Sequence, residues 1–360
     1  MIDTPSLVDH YCRGVLRTEL GLGTFEAHLG GTGGAPAPGT TFFDTQTGFA
    51  VRRWCAPLLG LEAHCPPARY LARRRELGVL ESGRRLLRAS GISTYLVDTG
   101  PPGDLTSVPE TAAAGMADAH EIVRLELLAE QVADTSGTVG AFLANLAEAV
   151  HGAADSAVAL TSVAGLRHPA SAAPEPPGPG GVRAAVGRWL DGRPPGARLT
   201  DPVLLSHLRW IAVATGRPLQ IHVGAGDPLA LSGFAAATEG LGTDLVLLHG
   251  CPYHRHAAYL ASAFPHVYAD VGPALARTGA GAASVLAEAL ERAPFGKLLF
   301  SSGARGLPES HVVGARIFRE ALEGVLGGWV RDGAWCRADA RRVAGMVAAG
   351  NARRVYGLAG

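Results

Sequence analysis

The sequence predicts a single TIM-like (β/α)8 barrel, and three observations carry that expectation. In the second half, short apolar strands each end in a polar group: Leu219–His222, Leu245–His249, Val267–Asp270 and Leu298–Gly303. Helical stretches separate them, which is the alternation of a parallel α/β sheet whose strand C-termini carry the chemistry. The chain has 360 residues, 47 % of them hydrophobic, enough to fill one large barrel core. No internal repeat longer than the strand–helix unit divides it. One domain over residues 1–360 is therefore expected, with residues 16–92 inserted between strands 1 and 2.

Taken in order, strand 1 is expected at Ser6–Tyr11. Residues 21–40 read as a Gly-rich loop with Pro36 and Pro38, too poor in apolar residues to join the core. Residues 41–90 read as mostly helical. Within them Arg73, Arg74, Arg75, Arg84, Arg85 and Arg88 share a stripe with Leu71, Leu77 and Leu87, read as a solvated basic face. Strand 2 is Thr94–Asp98 and strand 3 is Glu121–Glu126. A helix near residues 138–150 leads to strand 4, Ala157–Thr161. The Pro/Gly-rich run 169–181 is expected to be a mobile loop and not a domain linker, because the strand–helix rhythm resumes beyond it. After strand 8, Val313, Ile317, Phe318, Ala321, Leu322 and Val325 share one helix face, and two helices close the chain.

Composition narrows the function classes. The 32 acidic and 32 basic side chains cancel, which favours neither nucleic acid nor an anionic membrane. No apolar run approaches the roughly 18–20 residues of a membrane span. The N-terminus lacks the charged and apolar regions of a signal peptide. Five cysteines, an odd and sparse set with no CxxC pair, fit a reducing cytoplasm better than a disulfide framework or a cysteine-rich zinc site. Heavy use of Ala, Gly, Arg and Pro fits a GC-rich bacterial genome and says nothing about function.

Strand 1 reads Asp9-His10-Tyr11-Cys12-Arg13-Gly14. Residues two apart on a strand project from one face, so positions two and four beyond Asp9 should enter the barrel mouth. The segment resembles the opening of the amidohydrolase superfamily, where those two positions are metal-binding histidines. The chain is similar, over residues 6–358, to the glutamine-synthetase-associated branch. The likeness rests on Ala50–Trp54, Leu96–Gly100, Ile122–Glu126, His222–Pro228, Leu248–Arg255, Ala293–Phe295, Leu299–Ser302 and Asn351–Gly357. The resemblance implies a TIM-like barrel, a divalent metal, hydrolysis of C–N (amide-type) or related bonds, and a glutamine-synthetase-like partner. It also implies which residues should hold the metal, and the departures fall there. Tyr11 and Arg13 stand at the histidine positions, Thr161 at the strand-4 lysine, and Gly303 at the strand-8 aspartate.

Only His222 and His249 remain of the implied ligand set. Two imidazoles are too few for a catalytic zinc, which usually has three protein ligands. The expectation is a metal-independent site with no cofactor; zinc or another divalent ion enters only if substitutes such as Cys12 or Cys251 ligate. His222 and His249 are the candidate catalytic acid and base, with satisfied structural histidines as the ordinary reading. Candidate substrate-binding residues are Tyr11, Arg13, Asp98, Glu126, Arg167, Asp227, His254, Arg255 and Ser302. Ion pairing with Arg124 is the structural reading for Asp98 and Glu126, a loop cap that for Asp227, and a solvated helix start that for His254 and Arg255. Strand alternation points His10 and Cys12 away from the mouth. The functional expectation is a divergent hydrolase acting on a small polar substrate that bears an amide or a carboxylate, in specialised biosynthesis. A metallohydrolase with substitute ligands is one rival. A catalytically inactive binding or scaffolding barrel is another, and a homo-oligomer is left open.

Overall fold

The computed structural model describes residues 2–30, 36–101, 103–166, 172–224 and 226–359. Eight parallel strands follow one another in sequence order around a single sheet. They are β1 (Leu7–Cys12), β2 (Ile92–Asp98), β3 (Asp118–Arg124), β4 (Ala159–Ser162), β5 (Leu219–His222), β6 (Leu245–Leu248), β7 (Val267–Asp270) and β8 (Leu298–Leu299). Backbone bonds then bring the last strand back to the first. His10 N–H donates to the Phe300 carbonyl (3.2 Å), Gly303 N–H to Tyr11 (3.1 Å), and Arg13 N–H to Ala304 (2.8 Å). The expected (β/α)8 architecture is what the chain adopts.

Alternation along the strands sorts side chains into two cores. Leu7, Tyr95, Leu160, Leu219, Leu245 and Phe300 face the surrounding helices. Val8, Leu96, Ile122, Val246, Leu248 and Leu299 fill the barrel, whose lower end is plugged by Ala349, Ala352, Val355 and Tyr356 of the C-terminal helices. Filling the barrel this way leaves its upper end, at the strand C-termini, as the place where polar groups can gather.

Several elements differ from the sequence expectation. β3 stops at Arg124, and Glu126 lies in the first turn of a helix, Leu125–Thr135. β8 keeps only two paired residues, because the chain leaves the sheet toward the Gly303 turn. A helix, Leu22–Gly30, forms where a loop was expected; its Phe25 is fully buried and stacks on Phe43 at 5.7 Å. The basic stripe of helix Pro67–Ala89 is not wholly solvated. Arg74 is 2 % exposed and ion-paired with Glu309 (2.9 Å) and Glu19 (3.3 Å). Helix Pro308–Arg331 buries Val313, Ile317, Phe318, Ala321, Leu322 and Val325, as the periodicity required. All five cysteines are free, and among the described residues no helix is long and apolar enough to cross a membrane.

Candidate active site

The strand ends open into one cavity of about 950 Å³. Its floor is built by Tyr11 of β1, Arg124 of β3, His222 of β5 and His249 at the end of β6. β1 does not alternate regularly: Asp9 pairs with Tyr95 and Cys12 with Val97, three residues against two. The extra residue lets two consecutive side chains face inward, as a bulge does. His10 turns into the barrel, where its ring nitrogens meet Tyr356 Oη (3.0 Å) and Asp270 Oδ1 (3.3 Å). Tyr11 follows it inward at the level of the mouth. The alternation rule therefore fails for His10 and holds for Cys12, which packs outward.

Tyr11, His222 and His249 form a compact aromatic group. Ring centroids are 4.7 Å apart for Tyr11–His222, 5.6 Å for Tyr11–His249 and 4.8 Å for the two histidines. The Tyr11 hydroxyl donates to Asp98 Oδ2 (2.9 Å), and Arg124 ion-pairs with the same oxygen. Burial, then the Asp98 charge, pushes the Tyr11 phenol well above its usual pKa, so it stays protonated. Burial also holds His222 well below the usual imidazole range, helped by His249 and Arg124. His249 is lowered to about 4, again by burial first. Both imidazoles are neutral near pH 7 and can accept a proton or hydrogen bond. His249 also has φ +61°, a left-handed backbone unusual for a residue with a Cβ, and such outliers concentrate at functional sites.

The other predicted residues divide by position. Arg13 lines the cavity, 7 % exposed, its pKa lowered by burial and raised by Asp98. Glu126 lines it too, but its carboxylate accepts from Ser162 Oγ (2.7 Å) and the Val163 (3.0 Å) and Ala164 (3.2 Å) N–H groups, so it fixes the loop after β4. Ser302 borders the cavity, yet its Oγ donates to Asp9 Oδ2 (2.5 Å) and lies 3.4 Å from His311 Nδ1. That hydroxyl points toward helix Pro308–Arg331, not toward a substrate. Asp227, His254 and Arg255 lie outside the cavity lining. Asp227 caps the turn at Pro228 and pairs with His256 (2.8 Å); His254 and Arg255 pair with Glu288 (2.9 and 3.5 Å). Arg167 lies outside the described residues. Arg277 and Arg305 line the cavity and were missed, because each lies on a connection beyond a strand end, with no motif around it.

The mouth does not suit a divalent ion. Tyr11 is committed to Asp98, and Arg13 and Arg124 bring fixed positive charge to the same space. At Gly303 an added Cβ would lie 2.5 Å from Pro273 Cγ, so the position has no room for an aspartate. Among the described residues, the group with metal-ligand chemistry is Asp9, Cys12 and His311, all fully buried behind β1 and outside the cavity lining.

A parallel eight-stranded barrel with polar atoms gathered at its C-terminal mouth defines a (β/α)8 protein with a candidate ligand site where that fold carries one. Within that class the chain belongs to the amidohydrolase family, whose sequence profile matches residues 83–358. It is 35 % identical over 153 residues to protein fluG of Emericella nidulans, an alignment covering 39 % of this chain and 18 % of that longer protein. Among solved structures it resembles a chain assigned as a metal-dependent hydrolase from Lactobacillus casei, at TM-score 0.81 and 24 % identity over 99 % of this chain and 96 % of the other. It also resembles glucuronate isomerase from Caulobacter crescentus, at TM-score 0.70 and 14 % identity over 100 % and 92 % of the two chains. These likenesses show the shared fold.

Proposed function

We propose that this chain is a metal-independent hydrolase of the amidohydrolase family, acting on a small polar substrate that carries an amide or a carboxylate. One observation carries the reading. His222 Nδ1 and Nε2, His249 Nδ1, Arg13 Nε and Arg124 Nε are buried without a protein partner, and all belong to residues lining one cavity. Each such atom costs on the order of 1–3 kcal/mol unless a ligand or water satisfies it. A fold gains nothing from so many unless they bind something.

In this reading His249 or His222, neutral at pH 7, takes the proton from a water attacking the carbonyl carbon and returns it to the leaving nitrogen as the C–N bond breaks. Arg13 supplies the positive charge for the developing oxyanion, at a position where the family holds metal. Asp98 and Arg124 keep Tyr11 in place. Residues 16–92 act as an insertion of one barrel domain, and their Phe42, Gln46 and Thr47 border the cavity. The partial match to a much longer relative supports a barrel that works beside a further domain or partner, of the glutamine-synthetase-like kind that the sequence resemblance implies. The five free cysteines support a cytoplasmic setting for such an enzyme, and a role in specialised biosynthesis belongs to the same proposal.

The test is elemental analysis of chelator-dialysed protein together with turnover on an amide panel. Substoichiometric metal with retained turnover is expected, and His222→Asn or His249→Asn should lower kcat by roughly 10²–10⁴. One tightly held zinc, manganese or iron per chain, with activity lost on chelation, would support a second reading. In it the ion binds elsewhere, and the convergence of Asp9, Cys12 and His311 favours that site.

A further inference from the structure

Five arginines and two glutamates line the cavity. Arg124 is paired with Asp98 and Arg198 with Glu130 (3.2 Å). Glu126 is taken up by Ser162 and two backbone N–H groups. Arg13, Arg277 and Arg305 form no ion pair among the described residues, and no Asp or Glu lies outside them. These three cations belong to successive segments of the ring. Arg277 follows β7, Arg305 follows β8, and Arg13 follows β1. Alongside burial, the Arg305 charge helps to lower the pKa of Arg13, and Arg277 helps to lower that of His249. The opposite wall carries Val163, Ala164 and Leu166 after β4, with Leu199 and Leu205 before β5, and the charges among them, Glu126, Glu130 and Arg198, are already taken up by protein partners. The cavity is therefore polarised, with unpaired positive charge on one arc and apolar side chains beside internally paired charges on the other.

We infer that the cavity takes an amphiphilic dianion: a phosphate monoester or a closely spaced dicarboxylate as head group, with an apolar body. The head group sits against Arg13, Arg277 and Arg305, and the body lies along the wall after β4. This rests on the reading of the cavity as the reaction site. Guanidinium forks suit planar or tetrahedral oxyanions, and charge-assisted hydrogen bonds are about twice as strong as neutral ones. A single carboxylate leaves two of the three cations without a counter-charge, whereas a dianion neutralises most of the surplus. Solvated arginines of no function would not be expected to converge from the ends of three successive strands on one cavity opposite a wall whose charges are already paired.

The experiment is calorimetric titration of the full, chelator-dialysed chain at low salt with phenyl phosphate, phthalate, benzoate and benzamide. At least one dianion should bind about tenfold or more tightly than benzoate, with benzamide weaker still. Phenyl phosphate in the lead assigns the head group as phosphate, and phthalate in the lead assigns it as a dicarboxylate. Arg277→Gln and Arg305→Gln, both at exposed positions where folding is undemanding, should each weaken the favoured dianion about tenfold. No binding by any probe, benzamide equal to the dianions, or unchanged affinity in both variants would overturn the inference. Dianion binding by a protein without turnover would uphold this subsite while removing the hydrolase reading. Turnover of neutral amides without dianion preference would do the reverse.

Discussion

At the scale of single residues, His249 concentrates the tension in this mouth. It is half-buried, left-handed in φ, and partnerless at its inaccessible Nδ1. Its pKa of about 4 lies below the unfolded value of roughly 6.5, so between those values the unfolded chain binds the extra proton. Stability contributed by neutral His249 is present above pH 6.5 and is lost as pH falls toward 4. The loss should reach on the order of 3 kcal/mol, at 1.36 kcal/mol for each pKa unit. Denaturant melts of wild type and His249→Asn over that window test this. The variant's curve should lie flatter by the His249 contribution, and parallel curves would refute the assignment. The family resemblance singled out Tyr11 and Arg13 two and four residues beyond Asp9, and both line the cavity. The inward turn of His10 was not legible, because it depends on a one-residue excess of β1 over β2 that a single strand's sequence does not record.

At the scale of elements, helices Pro67–Ala89 and Pro308–Arg331 are joined by a buried polar cluster. Glu309 accepts from Arg74 Nε (2.9 Å) and from the Tyr70 hydroxyl (2.8 Å), with all three side chains essentially inaccessible. Removing one partner of such a pair strands a buried charge, which costs roughly 3–5 kcal/mol. Glu309→Ala should therefore lower the urea midpoint sharply, whereas exposed Arg75→Ala should change stability by no more than about 0.5 kcal/mol. Equal effects of the two would mean that the cluster does not tie these helices together. Periodicity announced both helices. It could not show which part of the basic stripe is buried, because Leu71 and Arg74 are three residues apart and share a face. Helix Leu22–Gly30 escaped for a related reason. Its hold on the protein is one aromatic, Phe25, against Phe43 and Tyr70, and those partners lie far along the chain.

At the scale of the whole molecule, the barrel frame was legible almost throughout, because eight strand–helix units repeat one pattern and each polar strand end marks the mouth. The metal question is also a property of the whole mouth, since the family's ligands come from several strands that must stay in register. From the sequence alone, Tyr11→His, Arg13→His and Gly303→Asp together would be expected to restore a zinc site. The folded mouth divides that expectation. Tyr11→His and Arg13→His add two imidazoles beside His222 and His249 and remove one of the two cations that would repel an ion, leaving Arg124 paired with Asp98, and so give four nitrogen ligands. Gly303→Asp works against them. Gly303 has φ +58°, strained for any side chain, and its new Cβ would meet Pro273 Cγ at 2.5 Å. The double variant should therefore bind zinc in a calorimetric titration. Gly303→Asp alone should bind none and lose roughly 1–3 kcal/mol of stability. The triple variant should bind more weakly than the double. A folded double variant that takes up no zinc would mean that the strand ends themselves have moved from the positions a metal requires. Tight binding by the parent chain would instead remove the metal-independent reading at its root.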